Sequence, residues 1–261
     1  MLVLDIDADF MLSTNACDLE AHDGKDDTHI QISAKRIAEV VGSLIGPRTR
    51  LIPVVDHHES LYVWDVMRVK DAECIHIDAH HDCWGQYFSM SRGCRGDRTI
   101  GCGNYLVQAL LDGVVRHVTY VPALWRHTEE EREDVSYEVS DLVSPKRVVV
   151  EPWRRFIHEI GARQEKASIV TIAVSPEWFP KRFAFAFKDL CKRLKIKQEL
   201  VDQILARANK KWKYIKERGL VPGNSIDEHD FTFPYDSRRS LRGKRLIELV
   251  GNIRKRSQVR G

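Results

Sequence analysis

The stretch Ile75-His76-Ile77-Asp78-Ala79-His80-His81-Asp82 decides the reading of this chain. An apolar run leads straight into a D-x-H-x-D arrangement. On an extended backbone, positions i, i+2 and i+4 share one face. Asp78, His80 and Asp82 can therefore converge on one point just past a strand end. Two carboxylates and an imidazole gathered there repel one another unless a cation sits among them. The competing reading is three polar residues on an exposed loop.

Two more stretches are built the same way. In Leu2-Val3-Leu4-Asp5-Ile6-Asp7-Ala8-Asp9-Phe10 a short apolar strand ends in alternating acids. Asp5 and Asp7 share a face, and Asp9 extends the alternation. Neighbouring carboxylates are costly without a neutralising metal; the alternative is a helix start with extra acids. In Leu51-Ile52-Pro53-Val54-Val55-Asp56-His57-His58-Glu59-Ser60 a strand runs into Asp-His-His-Glu ahead of a helix. One of these two histidines is expected as a ligand. The other is expected as a proton carrier or a supporting residue.

Outward from these motifs, the apolar runs predict strands at Leu2–Ile6, Arg50–Val55, Cys74–Asp78, His117–Tyr120, Val148–Val150 and Ile169–Val174. Helical stretches are expected at Ala34–Ile45, Ser60–Val69 and Asn104–Leu111. Strands separated by helix-length segments indicate βαβ units and a mainly parallel sheet, an α/β fold of three α/β/α layers. Ligands in such sheets sit outside the carboxyl ends of the strands, where these polar residues cluster. Residues 181–218 read as one or two basic helices, with apolar positions at Leu190, Leu194, Leu200, Val201, Ile204, Leu205 and Ile215. Gly219 to Pro234 reads as a loop, Ser237 to about Ile253 as a last helix, and the rest as a flexible tail. The expectation is one domain over residues 1–261, its basic helical extension starting near residue 181.

The chain has 261 residues, 43% hydrophobic and 30% charged, ample for a core and ordinary for a globular protein. That composition excludes wholesale disorder, collagen and a coiled-coil rod. No apolar run reaches the ~18 residues of a spanning helix, and the N-terminus does not read as a signal peptide. A cytoplasmic location with no membrane partner is expected. The net charge of +3 hides an asymmetry: about 11 acids face 5 bases in residues 1–60, and about 22 bases face 9 acids in residues 181–261. The six cysteines (Cys17, Cys74, Cys83, Cys94, Cys102 and Cys191) have no CxxC spacing and are expected as free thiols.

Hard oxygen donors with imidazole and no thiolate favour Mn²⁺, with Fe²⁺, Co²⁺ or Zn²⁺ as alternatives. Four or five carboxylates and two histidines suffice for two metals. Such a pair lowers the pKa of a water and supports hydrolysis, here at a planar carbon.

At this point the chain resembles the ureohydrolase superfamily of arginases and agmatinases. That family carries GGDHS, DAHxD and SxDxDxxDP motifs. Asp78-Ala79-His80-His81-Asp82 matches closely, Asp56-His57 and Asp5-Ile6-Asp7 more loosely. The combination of LDIDADF, DHHE and IDAHHD is most similar to the peptide arginases, which convert arginine side chains to ornithine with release of urea. The resemblance covers roughly residues 1–180. It implies an arginase-like fold holding two Mn²⁺ per chain. His57, Asp78, Asp82 and Asp5 would hold one. His80, Asp78, Asp5 and Asp7 would hold the other, with Asp78 and Asp5 bridging. The implied substrate is an arginine-containing peptide.

Here the Asp-x-Asp motif precedes the others, whereas arginases have it after them; this implies a permuted order. Cys102-Gly103-Asn104-Tyr105-Leu106 stands where arginases have Ser-Gly-Asn-x-His. Asn104 is then a substrate-binding candidate. Leu106 cannot carry protons, so His58, His81 or solvent must. A guanidinium needs a carboxylate partner. Glu177, in Val174-Ser175-Pro176-Glu177-Trp178, is the first candidate and Glu59 the second; a plain helix-start acid is the other reading of Glu177. Trp178 and Trp84 are candidate pocket walls or core residues. The rival functions are a one-zinc amide hydrolase of deacetylase type on the same fold, and a nucleic-acid or protein-binding module with a vestigial site. Lys210-Lys211-Trp212-Lys213-Tyr214 is the segment that would serve nucleic acid, which is not the expected partner. A homo-oligomer is left open.

Overall fold

The computed structural model describes residues 1–14, 28–84, 99–101, 103–140, 142–217 and 233–234. Its centre is β1 (Leu2–Asp7), buried along its whole length. Around it an all-parallel sheet is completed by β2 (Ile45–Val54), β3 (Ala72–Asp78), β5 (Val115–Pro122), β6 (Val148–Val150) and β7 (Ala167–Ala173), in the order β2-β7-β1-β3-β5-β6. A separate two-residue pair, β4 (Thr99–Ile100) with β8 (Phe233–Pro234), runs antiparallel. Phe233 and Pro234 thus lie in a strand rather than in the expected loop. The expected last helix and tail lie outside the described residues, as do Cys17, Cys94 and Cys102.

Among the described residues, seven helices cover the two faces: α1 (Ala34–Gly42), α2 (Glu59–Val66), α3 (Tyr105–Leu111), α4 (Thr128–Val139), α5 (Trp153–Ile160), α6 (Ala184–Arg193) and α7 (Gln198–Glu217). Alternation along β1 divides the core. Leu2, Leu4 and Ile6 face α1, α5, α6 and α7, where Ile37, Phe156, Phe187, Leu190 and Ile204 are buried. Val3 faces the other way, toward Trp64 of α2, Leu106 of α3 and Val135 of α4. With both faces covered, the inner strands β1, β3 and β7 read as largely apolar runs, as buried parallel strands do, while the edge strand β2 is apolar only toward its carboxyl end.

Every expected strand is present, displaced by no more than two residues except at the start of β2. That strand begins at Ile45, inside the expected first helix, and its register on β7 shifts between Ile45 and Arg50. α1 therefore stops at Gly42, short of the expected Ile45, because the chain turns at Ser43 and Leu44 to enter the sheet. Ser33 starts α1 properly, its Oγ accepting the Arg36 amide at 3.2 Å. Two helices were not foreseen. α4 is polar over most of its surface and buries only Glu131, Val135 and Val139, a single i, i+4, i+8 stripe. α5 follows β6 after only Glu151 and Pro152. Among the described residues, no helix is long and apolar enough to cross a membrane.

Candidate metal centre

The carboxyl ends of β1, β2, β3 and β7 lie side by side, and the polar residues gather there. Beyond β1, Asp7 accepts the amide of Asp9 at 3.2 Å and starts a short 3-10 turn, Ala8–Met11. That turn swings Asp9 over the end of β3. There its Oδ2 lies 3.1 Å from His80 Nδ1, and its Oδ1 accepts the Ala79 amide at 3.4 Å. At the end of β3, Asp78 Oδ1 accepts the His80 amide at 2.9 Å, and Asp82 sits at φ 49°, a left-handed turn that brings its side chain back to the strand end.

His57, one residue past Asp56 at the end of β2, occupies the middle. Its Nδ1 lies 3.1 Å from Asp7 Oδ2, 2.8 Å from Asp78 Oδ2 and 3.0 Å from Asp82 Oδ2. Its Nε2 lies 3.0 Å from Asp5 Oδ2. All of these side chains are at most 5% exposed. Yet both ring nitrogens of His57, His80 Nε2, Asp9 Oδ2 and Asp82 Oδ2 are buried with no aligned hydrogen-bond partner. Buried polar atoms are rarely left so. The close groups Asp7–His57–Asp78, Asp9–Asp78–His80, His76–Asp78–Asp82 and Asp5–His57–His76 can each hold a metal ion. Oxygen donors with imidazole suit a divalent cation of the manganese, iron or zinc type.

The electrostatics record how closely charge is crowded here. Burial pushes Asp82 up to about 7, together with the charge of Asp78 and against the pull of His57. Burial and the charges of Asp7 and Asp78 raise Asp9 well above the usual carboxylate range. Burial disfavours the His80 cation, but Asp78 and Asp9 overcome that and carry it up to about 10. His57 is likewise raised, against burial, by Asp5, Asp7 and Asp78. Without metal, the cluster therefore holds itself together with protons.

The structure brings Asp5, Asp7, His57, Asp78, His80 and Asp82 together. It places Asp5 differently from its neighbours, in the interior of the sheet, opposite His76 on β3 and Thr171 on β7. The expected role of Asp9 as a mere extension of the alternation is too weak, since its carboxylate faces His80. His76 was missed: its Nε2 lies 3.1 Å from the His80 carbonyl and 3.3 Å from Asp78 Oδ2. Its signal was present, two residues before Asp78 and on the same face. Ser175, whose hydroxyl donates to Asp7 Oδ2, and Tyr105, whose hydroxyl donates to Asp5, carried no recognisable signal.

The remaining candidates lie around this centre. Glu177 pairs with Lys211 of α7 through Oε1, while its buried Oε2 has no hydrogen-bond partner. Glu59 is spent on structure: Oε2 accepts the Val55 amide at 2.9 Å and Oε1 pairs with Arg207 of α7. Asn104 Oδ1 accepts the Gly101 amide at 2.9 Å. His58 meets Tyr62 edge-on at 5.8 Å. His81 Nδ1 accepts the Cys83 amide at 3.0 Å, and burial, with the charges of His80 and Arg126, pushes its pKa down to about 3. That histidine is neutral at physiological pH and poorly suited to carry protons. Trp178 and Trp84 flank His80, with ring centroids 4.5 and 6.2 Å from it. Cys74, Cys83 and Cys191 are buried free thiols. Compared with models of known protein families, with curated proteins and with solved structures, the chain matches none.

Proposed function

We propose that this protein is a binuclear, manganese-dependent hydrolase of guanidinium groups that converts arginine in a peptide to ornithine and urea. The observation that carries the metal reading is the set of orphaned buried atoms on His57, His80, Asp9 and Asp82 around a shared Asp78. His57, Asp7, Asp78 and Asp82 would hold one ion. His80, Asp9 and Asp78 would hold the second. Ions bound there would supply acidification of water and polarisation of the group under attack. The guanidinium substrate rests on the motif resemblance together with Glu177, which offers a buried carboxylate oxygen with no hydrogen bond, in the same loop as Ser175, which donates to Asp7, and Trp178, which lies against His80.

The chain's own groups have defined tasks in this reading. Glu177 Oε2 accepts guanidinium N–H groups and orients the planar carbon. Trp178, tilted against His80, and Trp84 keep water from the far side of the cluster. Ser175 fixes one oxygen of Asp7. In the reaction, water oxygen bonds to the guanidinium carbon, the bond from that carbon to the side-chain nitrogen breaks, and the nitrogen leaves as the ornithine amine with a proton.

The test is urea release from manganese-loaded protein offered free arginine, agmatine and an arginine-containing peptide in parallel. Urea from the peptide, with a mass loss equal to arginine minus ornithine, is expected. Urea from a small molecule alone would keep the hydrolase and discard the peptide. One tightly held zinc with no urea from any substrate would transfer the site to an amide hydrolase.

A further inference from the structure

Asp5 is the first acid of the N-terminal motif, yet its surroundings differ in kind from those of Asp7, Asp9, Asp78 and Asp82. It is fully buried, two residues inside the end of β1. Its Oδ1 accepts the Ser60 hydroxyl at 2.7 Å and also the Thr171 hydroxyl. Its Oδ2 accepts the Tyr105 hydroxyl and lies 3.0 Å from His57 Nε2 and 3.3 Å from His76 Nδ1. A carboxylate has about four lone-pair sites; three hydroxyls occupy three of them, and the two imidazole nitrogens close on Oδ2. The five groups come from α2, β7, α3, β3 and the loop after β2, so no single movement frees the oxygens. Asp9 Oδ2 and Asp82 Oδ2, by contrast, are buried with no hydrogen bond.

The two ring nitrogens of His57 divide the same way. Nε2 faces Asp5 alone among the acids, while Nδ1 faces Asp7, Asp78 and Asp82 together. A neutral imidazole has one N–H and one lone pair, and the partner of the first selects the direction of the second. We propose that Asp5 is not a metal ligand but the positioning carboxylate of His57. Its Oδ2 lies 3.0 Å from Nε2; with a cation on Nδ1 the ring would turn to align Nε2–H with that oxygen, so that the proton stays on Nε2 and the Nδ1 lone pair faces Asp7, Asp78 and Asp82. Ser60, Thr171 and Tyr105 lock Asp5 in that orientation. This role rests on the metal reading above and adds to it the distinction between the acids that bind and the acid that aims.

Manganese binding to the full chain tests it, with Asp5→Asn, Tyr105→Phe and Asp78→Asn alongside wild type. Supporting carboxylates of metal-bound histidines are worth about 10- to 100-fold in affinity. Asp5→Asn should weaken manganese binding by about that factor while keeping the stoichiometry. Tyr105→Phe, which removes one hydroxyl and threatens folding least, should cause a smaller loss in the same direction. In protein loaded with diamagnetic cadmium, the His57 Nε2 proton resonance should move upfield in Asp5→Asn, since an amide accepts more weakly than a carboxylate. A purely structural role would leave that resonance in place. Loss of binding in Asp5→Asn as complete as in Asp78→Asn would make Asp5 a ligand and overturn the proposal. So would an unchanged affinity in both Asp5→Asn and Tyr105→Phe. Wild-type protein that takes up no manganese would overturn the metal reading itself, a failure visible before any variant is made.

Discussion

At the scale of residues, three acids spaced i, i+2 and i+4 in Asp5-Ile6-Asp7-Ala8-Asp9 look equivalent in sequence, and they are not equivalent in the fold. Alternation says which face they share but not where the strand stops. β1 stops at Asp7, so Asp5 is held between β3 and β7 while Asp9 is carried over His80 by the turn that follows. The consequence for metal uptake has a definite sign. Ligands bind metal only when deprotonated. In the metal-free cluster His80 is raised to about 10 and Asp82 to about 7, so both hold protons at neutral pH, Asp82 in part. A divalent cation binding there would displace those protons, so its affinity would rise with pH. The rise is expected to be about tenfold or more per pH unit between pH 6 and 8, with at least about one proton released per chain. Calorimetric titration of the metal-free protein in two buffers of different ionisation enthalpy measures the release directly. Heats independent of buffer would mean that the cluster is already deprotonated.

At the scale of elements, the strands were legible because a parallel sheet buried on both faces needs continuous apolar runs. The helices were legible only where their apolar positions were dense. α4 escaped notice because one stripe of three buried residues in a mostly acidic segment leaves little periodic signal. The approach of β3 to α3 was equally hidden, because it depends on one missing side chain. Trp84, just after β3, donates its amide to the Gly103 carbonyl at 2.9 Å, and its ring lies over Gly103. A Cβ at Gly103 would sit 2.2 Å from the Trp84 ring. The same ring lies against His80 and His81, at 6.2 and 5.3 Å between centroids. Gly103→Ala should therefore push Trp84 away from both histidines. Overpacking of this kind costs about 1–3 kcal/mol. Chemical denaturation followed by tryptophan fluorescence should show that loss and a changed native-state emission. A variant with unaltered stability and emission would mean that the ring moves aside freely and does not wall the site.

At the scale of the molecule, the charge asymmetry between the two ends of the chain has an internal answer as well as any external one. α7 lays Val201, Ile204, Leu205, Ala208 and Trp212 in the core, and its indole donates to the Phe179 carbonyl at 2.9 Å. From the same helix Arg207 reaches Glu59, and Lys211 reaches both Asp56, at 2.6 Å, and Glu177. Two of the bases of the C-terminal third thus neutralise acids at the start of α2 and in the loops after β2 and β7, the loops that carry His57 and Ser175. Sequence alone could count these charges but could not pair them, because residues 155 positions apart meet only through the fold. Lys211 is 12% exposed and its partners less, so the pair is shielded from solvent and salt. Removing one member of a buried pair leaves the others uncompensated and costs about 3 kcal/mol or more. Lys211→Met, which keeps the length and apolar stem, should lower the unfolding free energy by about that amount in a urea titration. Adding Glu177→Gln to Lys211→Met should return part of the loss, since one stranded charge then disappears. A loss below about 1 kcal/mol, typical of surface pairs, would show instead that the apolar face of α7 alone fixes it on the sheet. Glu177 would then be free to turn both of its oxygens toward a substrate.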